Sequence, residues 1–155
     1  MILQKPKLDD ISLIETILSQ WTDNEEVSKY LERIKNEISG IIEYNTHFWT
    51  IKFENDTIGI LGISNLLPKT KPFITGKNPI ELKIMYLNNS FRGYGLGKTA
   101  IKELETLVKS LSYDEILIRS AKRYKNTAWA FYQKMGYLQI GTVDDDMAVF
   151  RKTLK

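Results

Sequence analysis

Between residues 80 and 121 the chain passes through "IELKIMYL", the loop "NNSFRGYGLGKT", a stripe of Ile101, Leu104, Val108 and Leu111 at helical spacing, and the apolar run "EILIRSA". This succession constrains the fold more than any other stretch. Strand, helix and strand in sequence predict a parallel pair of strands, with the crossover helix packed on the sheet. In the first strand Ile80, Leu82, Ile84 and Tyr86 share one face, and Glu81, Lys83 and Met85 share the other. Gly93, Gly95 and Gly97 let the loop turn sharply into the helix and let backbone amides approach whatever lies in the turn. A glycine-rich loop at a helix N-terminus holds phosphate in several unrelated folds.

The flanking segments complete a mixed order. A short extended stretch opens the chain, and Asp9 or Asp10 can cap a helix with Ile11, Ile14, Ile17, Leu18 and Trp21 on its apolar face. "TDN" at 22–24 offers a second cap, and Val27, Leu31, Ile34 and Ile38 form a second helical stripe closed by Gly40. Residues 47–66 alternate as a hairpin about "END", and 68–79, rich in proline and lysine, read as a long mobile loop. "NTAWAFYQKM" is a short helix stopped by Gly136, and "YLQIGTV" and "MAVFRKTL" pair about "DDD". The predicted order is β-α-α-β-β-β-α-β-α-β-β, a mixed α/β chain.

Composition narrows the classes. The 155 residues, 43% apolar and 26% charged, suit a single domain over 1–155. No run approaches the ~20 apolar residues of a membrane span, and charges occupy the place of a signal peptide's apolar stretch, so the expected address is cytoplasmic. No cysteine and one histidine, His47, leave no disulfide framework, thiolate site or histidine cluster, and no metal is expected. A net charge of +3 permits an anionic ligand without announcing a nucleic-acid binder.

Three phosphate-loop patterns compete for residues 92–99. The nucleotide P-loop needs a glycine at 92, which is Arg92, and no later acidic strand end offers itself to magnesium. The dinucleotide fingerprint needs a third glycine where Lys98 stands, and the next strand ends in Arg119-Ser120 rather than an acid. The pattern [RQ]-x-x-G-x-[GA] is met in full by Arg92, Gly95 and Gly97. A second motif, A-x-x-F-Y-x-x-x-G-[FY], is met by Ala128, Phe131, Tyr132, Gly136 and Tyr137. With these two motifs and this order of elements, essentially the whole chain resembles the GNAT superfamily of acyl-CoA-dependent N-acetyltransferases.

The resemblance implies a mostly antiparallel central sheet of about seven strands with a splayed parallel pair, flanked by about four helices. It implies acetyl-CoA as cofactor and transfer of its acetyl group to a primary amine of a small molecule or peptide. The loop Arg92, Gly93, Tyr94, Gly95, Leu96, Gly97 and Lys98 would wrap the coenzyme's diphosphate, and pantetheine would pair with the backbone of Met85, Tyr86 and Leu87. Tyr132 is implied as the acid facing the coenzyme sulfur; the other reading makes it one more core aromatic beside Trp129 and Phe131. Glu81 is a candidate base, against an exposed strand-end glutamate paired with a lysine, or a proton path through water alone. The family often has an asparagine seven residues before the tyrosine. Here that place holds Lys125, and Asn126 follows; either can meet coenzyme phosphate, though Asn126 can equally cap the helix.

The acceptor would enter between the first two helices and the last hairpin, past residues such as Trp21, Glu37, His47 and Trp49. Asp144-Asp145-Asp146 read as a polar turn before they read as an amine trap, and His47 reads as structural. A non-catalytic acyl-CoA-binding or sensing domain is the alternative function. A homodimer through the last strands is possible on the same resemblance.

Overall fold

A computed structural model describes residues 1–155. The strands are β1 (Ile2–Gln4), β2 (His47–Phe53), β3 (Asp56–Ser64), β4 (Pro79–Leu87), β5 (Glu115–Ala121), β6 (Leu138–Val143) and β7 (Met147–Thr153). The helices are α1 (Ile11–Ser19), α2 (Asn24–Ile38), α3 (Leu96–Ser110) and α4 (Ala130–Lys134). The element order is the one expected from the sequence. The seven strands form one sheet in the order β1-β2-β3-β4-β5-β7-β6, antiparallel except for the parallel pair β4–β5. No helix is long and apolar enough to cross a membrane.

Contacts divide the chain into two compact units. The first comprises Met1–Ser64 and Ile84–Leu104. Its core joins Ile14, Ile17 and Leu18 of α1 and Val27, Leu31 and Ile34 of α2 to Phe48, Ile60 and Ile84. Each such aliphatic side chain contributes roughly 1.5–3 kcal/mol when fully buried. Asp23 caps α2 by accepting from Glu26 N at 2.9 Å, and Gly40 ends it at φ +87°. Glu54 (φ 50°) and Asn55 (φ 71°) make the tight β2–β3 turn.

The second unit comprises Asn65–Lys83 and Glu105–Lys155. Residues 68–79 differ from expectation. They are not a loose loop: Pro68–Phe73 form a 3-10 turn, and the strap is fastened at successive points. Arg151 donates to Phe73 O at 2.9 Å, Thr75 N donates to buried Glu115 at 2.9 Å, and Lys77 N and Asn78 N donate to Asp114 at 2.8 and 3.0 Å. The acids that hold the strap lie about 40 residues away in sequence, which is why its own composition read as mobile. A smaller correction concerns Leu111. It was expected on the buried stripe of α3, but α3 ends at Ser110 and Leu111 is 46% exposed.

Candidate active site

The glycine loop follows β4 directly. A 3-10 turn at Asn89–Phe91 leads to Arg92 in extended conformation, then to Gly93 at φ +84° and Gly95 at φ +73°. Both lie in the left-handed region that a β-carbon disfavours. A β-carbon built on either would meet no atom within 4 Å, so glycine is needed here for backbone shape, and the turn stays open. Gly95 O accepts from Thr99 N at 3.4 Å, the first bond of α3. Leu96, Gly97 and Lys98 therefore open the helix with N–H groups that have no intrahelical partner, and Gly95 has no side chain to cap them. An anion at this turn would meet those amides, the positive end of the helix dipole and the charge of Lys98.

The end of β4 lies in the same unit. A β-carbon on Gly59 would come within 2.5 Å of Tyr86 O, and Asn88 N donates to Ile58 O at 2.7 Å. Residues 86 and 88 thus turn their backbone groups toward β3, so alternation turns those of Met85 and Leu87 to the other edge. Leu87 O is already taken, accepting from Trp21 Nε1 at 2.8 Å. The Trp21 ring stacks on Tyr86 (centroids 5.9 Å, planes 8° apart), and the Arg92 guanidinium stands 4.6 Å from the Trp21 centroid. The sequence placed Trp21 on the apolar stripe of α1 and on the acceptor side. Its link to the glycine loop is a contact 66 or more residues away in sequence, and no local signal pointed to it.

Also in this unit, Glu37 accepts from Lys5 Nζ (2.6 Å) and Phe48 N (2.9 Å) and lies 2.9 Å from His47 Nδ1. His47 Nε2 is 3.0 Å from Asn45 Oδ1, so both ring nitrogens are engaged in holding the α2–β2 junction.

Unit two carries Tyr132, Glu81, Lys125 and Asn126. Tyr132 is buried on α4, its ring packed against Phe131 (5.6 Å), Tyr137 (5.9 Å) and Phe150 (5.9 Å). Burial pushes its phenol from the ordinary 10 up to about 12, so it stays protonated throughout the neutral range. The neighbouring Tyr137 is committed elsewhere. Its hydroxyl donates to Glu105 at 2.8 Å, and Lys152 bonds the same carboxylate at 3.0 and 3.1 Å. Burial, then the Glu105 charge, raises the Tyr137 phenol further still.

The turn before α4, Lys125–Trp129, is a π-turn, a wide geometry that recurs at functional sites. Lys125 and Asn126 are exposed on it, and Asn126 lies inside the turn, so its reading as a helix cap fails. Glu81 is only 1% accessible, so the exposure expected on the alternative reading fails, while its pairing with a lysine holds. Arg119 Nε donates to its Oε1 at 2.5 Å and Lys83 Nζ lies 3.5 Å from Oε2, which has no hydrogen bond. The parallel ladder runs from Pro79↔Glu115 to Leu82↔Ile118 and ends there, although β4 continues to Leu87 and β5 to Ala121. Asp144 sits in the β6–β7 turn at φ 51° and pairs with Lys69 of the strap, as befits a polar turn.

Comparison with known proteins puts these features in context. Residues 11–137 match the family described as Acetyltransferase (GNAT) family. A protein of Desulfovibrio desulfuricans assigned to the GNAT family superposes with a TM-score of 0.78 at 15% identity, covering 99% of this chain and 98% of that one. PaiA N-acetyltransferase of Thermoplasma acidophilum, solved with coenzyme A, gives 0.70 at 16% identity over 98% of each chain. An aminoglycoside 6'-N-acetyltransferase, also solved with coenzyme A, gives 0.70 at 14% identity, covering 100% and 98%. At these identities the structural likeness establishes the fold.

Proposed function

This chain belongs to the acetyltransferase (GNAT) family, and from that premise we propose that residues 1–155 act as one N-acetyltransferase domain, moving an acetyl group from acetyl-CoA to a primary amine. The observation that carries the reading is the glycine turn. Gly93 and Gly95 hold left-handed backbone with open space beside them, and α3 begins at the next residue. That donor set suits a diphosphate: the amides of Leu96, Gly97 and Lys98, the ammonium of Lys98 and the guanidinium of Arg92. Met85 is the β4 residue proposed to pair with pantetheine through its backbone, because Tyr86 is turned to β3 and Leu87 O is occupied. Lys125 and Asn126, exposed on the π-turn, are the further residues proposed to meet coenzyme phosphate.

Acetyl-CoA supplies the thioester whose C–S bond breaks as the new C–N bond forms. The chain's own task is to manage two protons. A typical amine, with a pKa near 10, is mostly protonated at neutral pH and must lose a proton to attack. Glu81 is proposed to receive it at Oε2, the oxygen without a hydrogen bond. Its burial leaves a bridging water as the path. Tyr132 keeps its proton and donates a hydrogen bond to the departing sulfur, and the second proton shed by the amine nitrogen as the C–S bond breaks passes through water to the thiolate.

The acceptor is proposed to be a small-molecule amine, in line with the aminoglycoside enzyme among the similar structures; a peptide amine is the second possibility the assay must cover. The test combines a calorimetric titration with coenzyme A and a thiol-release assay with acetyl-CoA and a panel of small and peptide amines. Binding with turnover is the expected result. Binding without turnover on any amine would favour a sensor, and no binding would end the proposal.

A further inference from the structure

The turn that follows α1 reaches the glycine loop and grips its approach. Gln20 accepts from Asn89 N at 2.9 Å and donates to Asn88 Oδ1 at 3.4 Å, and Trp21 donates to Leu87 O at 2.8 Å. With its N–H bonded and its ring stacked on Tyr86, the Trp21 indole has little rotational freedom. It is a fixed plate, and the exposed Arg92 lays its guanidinium on it, 4.6 Å from the centroid. A free arginine side chain must surrender considerable rotamer entropy to hold an anion, whereas one already laid on an aromatic face surrenders less.

We propose that Trp21 is a positioning residue for the coenzyme's diphosphate: it holds the Arg92 guanidinium beside the glycine turn before the ligand arrives. The proposal rests on the reading of 92–98 as a diphosphate cradle and extends coenzyme recognition to the turn after α1. Through Arg92, Trp21 serves the diphosphate; through Leu87 O and Tyr86 it also braces the end of β4, so the part of its effect that depends on the diphosphate is the part that tests the proposal.

The experiment compares acetyl-CoA with acetyl-pantetheine, a donor that lacks the diphosphate. It uses wild type, Trp21→Leu, Trp21→Phe, Arg92→Ala and the Trp21→Leu/Arg92→Ala double variant. In Trp21→Leu, kcat/KM for acetyl-CoA should fall about three- to tenfold, through KM. The value for acetyl-pantetheine should fall less. Trp21→Phe, which keeps an aromatic face but loses the bond to Leu87 O, should recover part of the loss, and the double variant should be no worse than Arg92→Ala. Equal losses with both donors, or additive losses in the double variant, would overturn the proposal, because Trp21 would then act only through stability. Calorimetry separates the two ideas. Wild type that takes up no coenzyme A defeats the cradle reading itself. Wild type and Trp21→Leu binding equally well defeat only the role of Trp21.

Discussion

Replacing Tyr132 with phenylalanine tests the proposed chemistry most directly. The ring contacts with Phe131, Tyr137 and Phe150 survive the change, so the fold should too. What is removed is one O–H whose pKa burial has pushed up to about 12. An ordinary thiol titrates near 8.5, so full transfer of this proton to a departing thiolate is uphill by about 3.5 units, or roughly 5 kcal/mol. On the proposed reading Tyr132 would therefore serve as a hydrogen-bond donor to the developing negative charge without surrendering its proton outright. Hydrogen bonds to charged groups are worth about 1.5–3 kcal/mol, which predicts a fall in kcat of about 10- to 150-fold. The bond strengthens only as the sulfur gains charge, so the dissociation constant for coenzyme A should change less than about twofold. Because the raised pKa keeps the neutral form dominant, the wild-type profile should show no decline from Tyr132 below about pH 11. Thiol-release kinetics from pH 6 to 10, with calorimetry on both proteins, would check all three points. An unchanged kcat would refute the reasoning, and so would an alkaline limb near pH 9 that disappears in the variant.

Other perturbations follow from the same geometry. Gly95→Ala places a β-carbon on backbone at φ +73° with no neighbour within 4 Å, so its cost is conformational, about 1–2 kcal/mol, and appears as weaker coenzyme A binding and a lower Tm. Unchanged values for both would mean that the turn tolerates a side chain. Glu37→Ala removes the acceptor shared by Lys5, His47 and Phe48 N, and urea unfolding should show a loss of about 2–3 kcal/mol. A loss below about 0.5 kcal/mol would show that water replaces the carboxylate.

Periodicity made the order of elements readable, because apolar spacing reports a helix or a strand wherever one face is buried. "TDN" at 22–24, Gly40 and Gly136 marked helix ends because caps are local chemistry, whereas Asp10 precedes α1 without a side-chain cap bond to it. What stayed hidden depends on partners distant in the chain. The strap at 68–79 was misjudged because Asp114 and Glu115 supply its order. Alternation put Glu81 on the right face of β4 but did not reveal Arg119 beside it. Trp21 read as an ordinary apolar-stripe residue, since nothing within α1 discloses that its N–H belongs to Leu87 O. The π-turn at 125–129 escaped because propensity does not distinguish one widened turn from an α-helical one.

The strand order β5-β7-β6 has a consequence for biosynthesis. Residues 138–143 leave the ribosome before 147–153, yet the later segment lies between the earlier one and β5. A nascent chain that has emerged only as far as β6 has no correct slot for it. The ladder from Glu115↔Thr153 to Ala121↔Met147 can form only after that arrival. Until then β5 presents a raw edge, and the growing polypeptide is at its most vulnerable to mispairing.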